Sequence, residues 1–143
     1  MPTVERSALV PYTAQQMYQL VNDVESYPDF LPWCSGAAVL EEEVSVRVAR
    51  VDISRGPIKQ HFVTRNELRD GEEIKLNLVE GPFSDLQGQW QFAAIGDSGC
   101  RVTFSTQFIF KSVLMEKTIG PVFNDICAKL VDSFVTRAKQ VYN

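Results

Sequence analysis

Residues 112–142, SVLMEKTIGPVFNDICAKLVDSFVTRAKQVY, decide which fold this chain can adopt. Their apolar residues recur at every third or fourth position, which is the spacing of one face of an α-helix. At about 100° per residue this face covers an arc of roughly 200°, about twice the stripe of an ordinary surface helix. A helix with so wide an apolar face is stable only against a concave apolar partner, which the preceding residues must supply.

Two features modify this helix. Gly120-Pro121 interrupts it, because Pro121 has no N–H to donate and its ring crowds the preceding turn. Either the helix kinks there, or a short helix ends and the main helix begins with Pro121 as its first residue. Arg137 lies inside the apolar arc. Its side chain either rests its stem on the core with its head in water, or makes a buried ion pair or a ligand contact.

The composition is typical of a globular protein. With 143 residues, 45% of them apolar and 22% charged, we expect one domain over residues 1–143, and a monomer. The net charge of −4 argues against binding through nucleic-acid phosphates, so we expect no DNA partner. No apolar run approaches the roughly 18 residues of a membrane helix. We therefore expect no membrane span, which leaves transient membrane contact open.

The cysteines and the histidine predict neither a metal site nor a required cofactor. Cys34, Cys100 and Cys127 are odd in number and far apart, and the single His61 has no partner four residues away. Cys100 and Cys127 fall on apolar faces and are expected to be small core residues. Reduced thiols and the lack of an export signal together predict the cytoplasm.

The N-terminal part predicts a strand and then a helix. Residues 2–10 have the pattern of a strand. Thr13 followed by Gln16 is a capping box, which predicts a helix that begins at Ala14 and ends before Pro28.

The segment Tyr27–Trp33, YPDFLPW, carries two prolines but also three aromatic residues and a leucine. Prolines break regular structure, whereas so many apolar side chains are unusual in a solvated loop. Either a short helical turn here plugs one end of the core, or the segment forms the mouth of an apolar pocket.

Six strands are predicted between residues 36 and 110. They cover approximately 36–43, 45–55, 58–69, 73–80, 84–95 and 99–110. Short, glycine-rich connections between them predict hairpins and an antiparallel meander. The last two strands alternate clearly between apolar and polar residues. In strand 58–69 the inward set is either Phe62, Thr64 and Asn66 or His61, Val63 and Arg65.

The predicted fold is α+β: a seven-stranded curved antiparallel sheet wrapped around the long C-terminal helix, with one or two short helices between strands 1 and 2. A strongly curved sheet and a helix do not fill the space between them completely, so we expect an apolar cavity there. Its entrance is predicted near residues 27–33 and Gly120-Pro121. The candidate lining residues are Tyr27, Phe30, Leu31, Trp33, Leu78, Phe83, Trp90, Phe108, Phe110, Met115, Ile119 and Phe123.

The cavity favours a binding protein for an apolar molecule over an enzyme. An enzyme that used this cavity would need an acid or base directed into it. The candidates are His61, Asp52, Glu80 and Arg65. No segment brings a nucleophile, a base and an orienting group together, so no catalytic residue is predicted.

Several stretches resemble one known superfamily. They are residues 8–12, 16–24, 26–32 and 77–83, Trp90, Phe92 and residues 134–138. Together they resemble the START-like helix-grip superfamily and, within it, the coenzyme Q-binding, polyketide cyclase-like branch. The resemblance spans essentially the whole chain, and its stretches 27–32 and 77–83 are fairly specific.

The resemblance implies a helix-grip fold and binding of a polyprenyl quinone, such as ubiquinone, in support of respiration. For the bacterial members named as toxins it also implies binding to the large ribosomal subunit and a block of subunit joining. Mitochondrial relatives carry a targeting extension, which favours a bacterial cytoplasmic member here. The alternative that the resemblance implies is a polyketide cyclase or aromatase that uses the same cavity.

Overall fold

The computed structural model describes residues 3–142 and consists of one antiparallel sheet and a long helix that lies against its concave face. The strands are β1 Thr3–Val10, β2 Cys34–Glu42, β3 Val46–Arg55, β4 Ile58–Arg69, β5 Glu73–Glu80, β6 Phe83–Ile95 and β7 Gly99–Phe110. The helices are α1 Ala14–Asn22, a 3₁₀ helix Val24–Asp29, α2 Val113–Thr118 and α3 Gly120–Tyr142. The predicted fold is confirmed. Pro2, which the predicted first strand included, lies outside the described residues.

The sheet has the order β1-β7-β6-β5-β4-β3-β2, so β2 to β7 form the predicted meander. The N-terminal strand closes the sheet at its other edge by pairing with β7, from Thr3 opposite Gln107 to Val10 opposite Cys100. Consecutive hairpins place neighbours in sequence next to each other in space. The first and second strands therefore become the two edges, and α1 and the 3₁₀ helix bridge between them.

Helix α1 begins where the capping box predicts. The Thr13 hydroxyl accepts a hydrogen bond from the Gln16 backbone N–H at 3.1 Å, and the Thr13 N–H donates to Gln16 Oε1 at 2.8 Å. These two bonds satisfy donors that the first turn of a helix otherwise leaves free. The helix ends at Asn22, and the 3₁₀ helix that follows contains Pro28.

The interruption at Gly120-Pro121 separates two helices. The short helix α2 runs from Val113 to Thr118, and it is capped by Ser112, whose hydroxyl accepts a hydrogen bond from the Met115 N–H at 3.1 Å. Helix α3 then starts with Gly120, so Pro121 is its second residue instead of its first. The second of the two predicted alternatives is therefore confirmed to within one residue.

The apolar arc of α3 is buried against the sheet over most of its length. The residues it buries are Gly120, Phe123, Ile126, Cys127, Val131, Phe134 and Ala138. At its C-terminal end Val141 is 46% exposed, so the arc reaches solvent in the last turn. Arg137 also lies at the edge of the arc, where its guanidinium carbon is 5.0 Å from the centroid of the Phe30 ring. Its stem is half-buried and its head stacks on an aromatic face, which matches the first of the two alternatives.

The 3₁₀ helix and the residue that follows it pack two aromatic side chains against α3. The rings of Tyr27 and Phe30 meet Phe134 edge-on, with centroids 5.5 and 5.3 Å away. Edge-to-face pairs of this kind are favourable arrangements of aromatic rings. The segment therefore plugs one end of the core, as the first interpretation of residues 27–33 predicts.

The concave face of β4 carries Phe62, Thr64 and Asn66, which resolves the alternative that the sequence leaves open. Thr64 and Asn66 are buried, whereas Arg65 is exposed. Val63 is buried as well, next to an irregularity in the pairing of β4 with β5. Among the described residues, no helix is both long and apolar enough to span a bilayer.

Candidate functional site

An internal cavity of about 90 Å³ lies between the concave face of the sheet and α3. The α1 end and the following segment contribute Val21, Asn22, Val24, Tyr27 and Trp33 to its wall, and α3 contributes Phe123, Ile126, Cys127 and Leu130. The sheet contributes Ala49, Val51, Phe62, Thr64, Asn66, Ile74, Leu76, Leu86, Gly88, Trp90, Phe104 and Thr106. The wall is mainly apolar, as the wide arc of α3 and the curved sheet predict.

Small residues keep this space open. Ala49 on β3 and Gly88 on β6 both face the cavity. A Cβ atom at Gly88 would lie 3.2 Å from Leu76 Cδ1, so the Leu76 side chain already covers the glycine closely. Larger side chains at these two positions would occupy part of the cavity, because protein interiors otherwise pack to nearly crystalline density.

Four of the twelve predicted lining residues face the cavity: Tyr27, Trp33, Trp90 and Phe123. Both tryptophans of the chain are therefore in its wall. Trp33 lies on the segment predicted as a pocket mouth. That segment consequently does both things considered for it, since Tyr27 packs on Phe134 and also lines the cavity.

Three other predicted residues, Phe83, Phe108 and Phe110, lie outside the cavity. Together with Phe62 and Phe123 they form an aromatic cluster in which neighbouring ring centroids are between 4.8 and 6.4 Å apart. Most of these ring pairs meet edge-on, and within the cluster only Phe62 and Phe123 also border the cavity. Phe83, Phe108 and Phe110 pack behind them, where the sheet closes on the start of α3.

The remaining five predicted lining residues also lie outside the cavity wall. Leu31 and Ile119 are buried in other parts of the core, and Phe30 packs on Phe134. Leu78 is half-buried on β5 beyond the end of the cavity. Met115 is on α2, a helix without a buried residue, since the break before Gly120 turns α2 away from the core.

The four candidate catalytic residues lie on the convex side of the sheet, away from the cavity. His61 Nε2 is 2.8 Å from Glu80 Oε2, and Asp52 Oδ1 is 2.8 Å from Arg50 Nε. Asp52 and His61 are direct neighbours on β3 and β4, and Arg65 is exposed on the same strand. None of the four candidates that an enzyme would require therefore lines the cavity. On β4, alternation turns Phe62, Thr64 and Asn66 inward and His61 and Arg65 outward.

Trp33 and Ile126 form a part of the cavity wall beside the predicted entrance at residues 27–33. These two residues also line an outer groove of about 430 Å³, whose other walls include Arg55 and Asp125. Arg55 Nη1 and Asp125 Oδ2 are 2.6 Å apart and connect β3 to α3 across this groove. Hydrogen bonds from Arg55 and Lys129 lower the pKa of Asp125.

The groove at Gly120-Pro121, the other predicted entrance, shares no lining residue with the cavity. It has a volume of about 590 Å³ and is lined by Phe108, Phe110 and surface residues of α2 and α3. The aromatic cluster lies between this groove and the cavity. The predicted entrance near residues 27–33 is therefore the one adjacent to the cavity.

The titratable groups in the cavity wall are uncharged near neutral pH. Burial raises the pKa of the Cys127 thiol to about 12. Burial also raises the pKa of Tyr27 well above its usual value, and the Tyr27 hydroxyl donates to the Val21 carbonyl. A neutral wall of this kind favours an uncharged ligand, because burial of an unpaired charge is costly.

The sequence left the polar part of the wall undecided, with Thr64 and Asn66 in one of the two possible inward sets of β4, and gave no sign of a polar role for Thr106. Thr64, Asn66 and Thr106 are buried, at 5%, 6% and 3% exposure. Phe62, Thr64 and Asn66 alternate with His61, Val63 and Arg65, and each set mixes apolar and polar residues, so alternation alone fits either face of the strand.

Comparisons with known proteins agree with this geometry. Residues 10–135 match the family model described as polyketide cyclase / dehydrase and lipid transport. The ribosome association toxin RatA of Escherichia coli (strain K12) is 47% identical over 143 residues, which cover 100% of this chain and 90% of the toxin. The mitochondrial coenzyme Q-binding protein COQ10 homolog B of Xenopus laevis is 27% identical, over 95% of this chain and 57% of that protein.

Solved structures show the same fold. The 18 kDa protein CC1736 of Caulobacter crescentus is 31% identical and superimposes with a TM-score of 0.76, covering 99% of each chain. The ZhuI aromatase/cyclase of Streptomyces sp. R1128 superimposes with a TM-score of 0.83 over 99% of this chain and 96% of that chain, and at 15% identity it shares the fold alone. The chain therefore belongs to the polyketide cyclase / dehydrase and lipid transport family, with the START-like helix-grip fold, and within it to the group that contains the ribosome association toxin RatA.

Proposed function

We propose that this protein binds a long apolar molecule, a polyprenyl quinone such as ubiquinone, between the sheet and α3 and does not transform it. The observation that carries the proposal is the cavity with its neutral, mainly apolar wall. The relative named as a coenzyme Q-binding protein supports the choice of a quinone. The outward position of His61, Asp52, Glu80 and Arg65 supports binding without catalysis, since none of them reaches the cavity.

The cavity must enlarge to hold such a ligand. Its volume of about 90 Å³ is well below the roughly 300–1,000 Å³ of pockets that enclose drug-sized molecules. The wall formed by Trp33 and Ile126 is the place where enlargement costs least, because the groove on its far side is already open to solvent. Displacement of Trp33 joins the cavity to that groove, so that an isoprenoid tail can extend into it.

The apolar contacts are sufficient for tight binding. Each buried methylene-sized group contributes about 0.8 kcal/mol. About ten such groups therefore correspond to the roughly 8 kcal/mol of a micromolar dissociation constant, before the cost of enlarging the cavity is subtracted. Two to three isoprene units provide this number.

Tryptophan fluorescence tests the proposal directly, because both tryptophans line the cavity. Titration with a short-chain ubiquinone is expected to quench the emission and to saturate in the micromolar range. Ala49→Leu, which fills part of the cavity, is expected to weaken binding at least tenfold.

Ala138→Leu is the matched control. Ala138 is equally buried, but it packs outside the cavity, so binding should survive wherever this variant folds. Quenching that never saturates, or equal affinities for the wild type and Ala49→Leu, would contradict the proposal.

We infer a second function from the relatives, namely association with ribosomes. The observation that favours it is the 47% identity, over all 143 residues, to a protein named as a ribosome association toxin. With a net charge of −4, contact through ribosomal proteins or one local basic patch is favoured over a broad electrostatic contact with RNA.

Sucrose gradients test this second function. Purified protein added to bacterial ribosomes at physiological salt is expected to lower the fraction of joined ribosomes and to sediment with the large subunit. An unchanged gradient at a large molar excess of protein would remove the hypothesis. The Ala49→Leu variant in the same gradient shows whether the cavity and the ribosome function are coupled.

A further inference from the structure

The concave face of the sheet carries a pair of polar residues on β4 whose presence packing does not explain. Thr64 and Asn66 lie two residues apart on β4, both line the cavity, and both are at least nine-tenths buried. An apolar pair would fill these sites without the cost of removing polar groups from water, which is about 1–3 kcal/mol for each group left unpaired.

The hydrogen bonding of this pair leaves donors unused. The Thr64 hydroxyl donates to Asn66 Oδ1 at 2.7 Å. Because Oδ1 is engaged, the amide group of Asn66 has its Nδ2 on the opposite side, with two N–H donors. Within residues 3–142 this bond from Thr64 is the hydrogen bond that the Asn66 side chain makes, and Nδ2 has no acceptor.

A second unused donor is next to Asn66. Arg47 on β3 is its direct cross-strand neighbour and lies on the same face as Ala49 and Val51. Arg47 Nη1 donates to the Asn22 carbonyl at 2.9 Å and Nη2 to Glu42 Oε1 at 2.8 Å. Arg47 Nε is buried and has no acceptor among the described residues. This layer of the sheet therefore has more N–H donors than acceptors, and Asn66 is the one of the two residues that lines the cavity.

The unpaired donors and the charge balance of the site indicate which chemical group of a ligand would bind there. Unpaired donors require an acceptor, and Glu42 already balances the charge of Arg47. A neutral oxygen acceptor consequently fits better than an anion, which would be left with no net positive charge to pair with. Around the polar pair the wall is apolar, with Leu76, Leu86 and Trp90.

We propose that Asn66 is the group that recognises the polar end of the ligand: its Nδ2 donates to a carbonyl oxygen of an otherwise apolar molecule. The proposal rests on the proposed function of the cavity and deepens it, since it names a ketone, quinone or ester carbonyl as the acceptor. Thr64 is the positioning residue, because its hydrogen bond to Oδ1 turns Nδ2 toward the ligand.

Two ligands with the same tail test this assignment. Decylubiquinone carries two ring carbonyls, whereas decylbenzene has none, and each competes with the apolar probe N-phenyl-1-naphthylamine for the cavity. The wild type is expected to prefer decylubiquinone. Asn66→Leu should weaken decylubiquinone binding about tenfold, the factor that corresponds to about 1.4 kcal/mol, and should leave decylbenzene binding unchanged.

Thr106→Val is the matched control for loss of a buried polar group from the same wall. The Thr106 hydroxyl donates to the Gln87 carbonyl at 2.9 Å, so it has no free donor for the ligand. The preference for decylubiquinone should therefore persist in this variant. A readout that does not depend on any variant folding is the infrared carbonyl stretch of decylubiquinone, which should shift to lower frequency on the wild-type protein relative to hexane.

The outcomes separate the two proposals. Wild-type protein that binds both ligands without preference, with no shift of the carbonyl band, leaves the cavity proposal standing and overturns the role of Asn66. Asn66→Leu that weakens both ligands equally also overturns it, because the residue then acts on the shape of the cavity alone. Wild-type protein that binds neither ligand overturns both.

Discussion

The interface between the sheet and α3 has two halves that differ in how completely they are filled. In the aromatic cluster, the rings of Phe62, Phe83, Phe108, Phe110 and Phe123 interlock at centroid distances of 4.8–6.4 Å. In the cavity half, Ala49 and Gly88 leave space, and Thr64 and Asn66 add buried polar groups. The continuous apolar face of α3 thus packs closely against the sheet in one half of the interface and leaves a cavity in the other half.

The difference separates stability from binding. Close-packed aromatic rings contribute many dispersion contacts and a large apolar area, and both stabilise the fold. Small and polar residues in the other half contribute less, and a sequence selected for stability alone would replace them. The cluster therefore carries the stability of the interface, and the cavity carries the proposed function.

Loss of a ring should cost most in the cluster. Phe83→Ala is expected to reduce the free energy of unfolding by about 3–5 kcal/mol, because the fully buried ring contacts four other rings. Phe104→Ala removes a ring of the same size from the cavity wall, where one side already lacks contacts, so it should cost about 2–3 kcal/mol. Denaturant unfolding measures both, and equal losses would show that the two halves are packed alike.

Added volume should likewise cost more stability in a filled part of the core than in the cavity. Ala138→Leu places three further carbons in a filled part of the core and is expected to cost about 1–3 kcal/mol. Ala49→Leu places the same three carbons into the cavity and should cost less than about 1 kcal/mol. The two variants carry the same substitution at two buried alanines, so they can be compared directly. A greater loss of stability for Ala49→Leu in denaturant melts would contradict the prediction.

Alkaline pH should produce the smallest effect. Burial raises the pKa of Cys127 to about 12 from an ordinary value near 9, so between these values the unfolded chain loses its thiol proton while the native chain keeps it. Stability then falls as pH rises, by about 1 kcal/mol between pH 8 and 10 for this one thiol.

The Cys127→Ala variant is expected to lose correspondingly less stability over the same pH interval, as measured by urea midpoints at each pH. Cys34, whose pKa burial raises to about 11, contributes to the alkaline decline of both proteins and cancels in the comparison. Parallel pH curves for the wild type and the variant would show that Cys127 ionises alike in the native and unfolded chains.

Much of the fold was predictable because its signals are local. The apolar spacing of residues 112–142 predicted the long helix, and Thr13 with Gln16 predicted the start of α1. The glycine-rich connections predicted the hairpins. Each of these signals lies within a few consecutive residues, where hydrogen bonding and side-chain spacing follow the chain directly.

Less of the site was predictable, because the cavity wall depends on contacts between distant parts of the chain. Trp90 on β6 was predicted, since its strand alternates clearly. The inward position of Asn66 stayed one of two alternatives, because β4 carries polar residues on both faces and a period of two does not reveal which face is inward. Phe110 was assigned to the cavity because it lies on the apolar face of a clearly alternating strand, but it packs into the aromatic cluster instead.

The sequence by itself determined the elements, their order and the need for a concave sheet around α3, because periodicity and capping act between neighbours in the chain. The tertiary structure alone decided where the interface is full and where it is open. Pairing and curvature of the seven strands bring Ala49, Asn66 and Gly88 into the open half of the interface, and Phe83, Phe108 and Phe110 into the closed half. Whether the space is filled and which polar groups find hydrogen-bond partners depend on contacts between residues that are far apart in the chain.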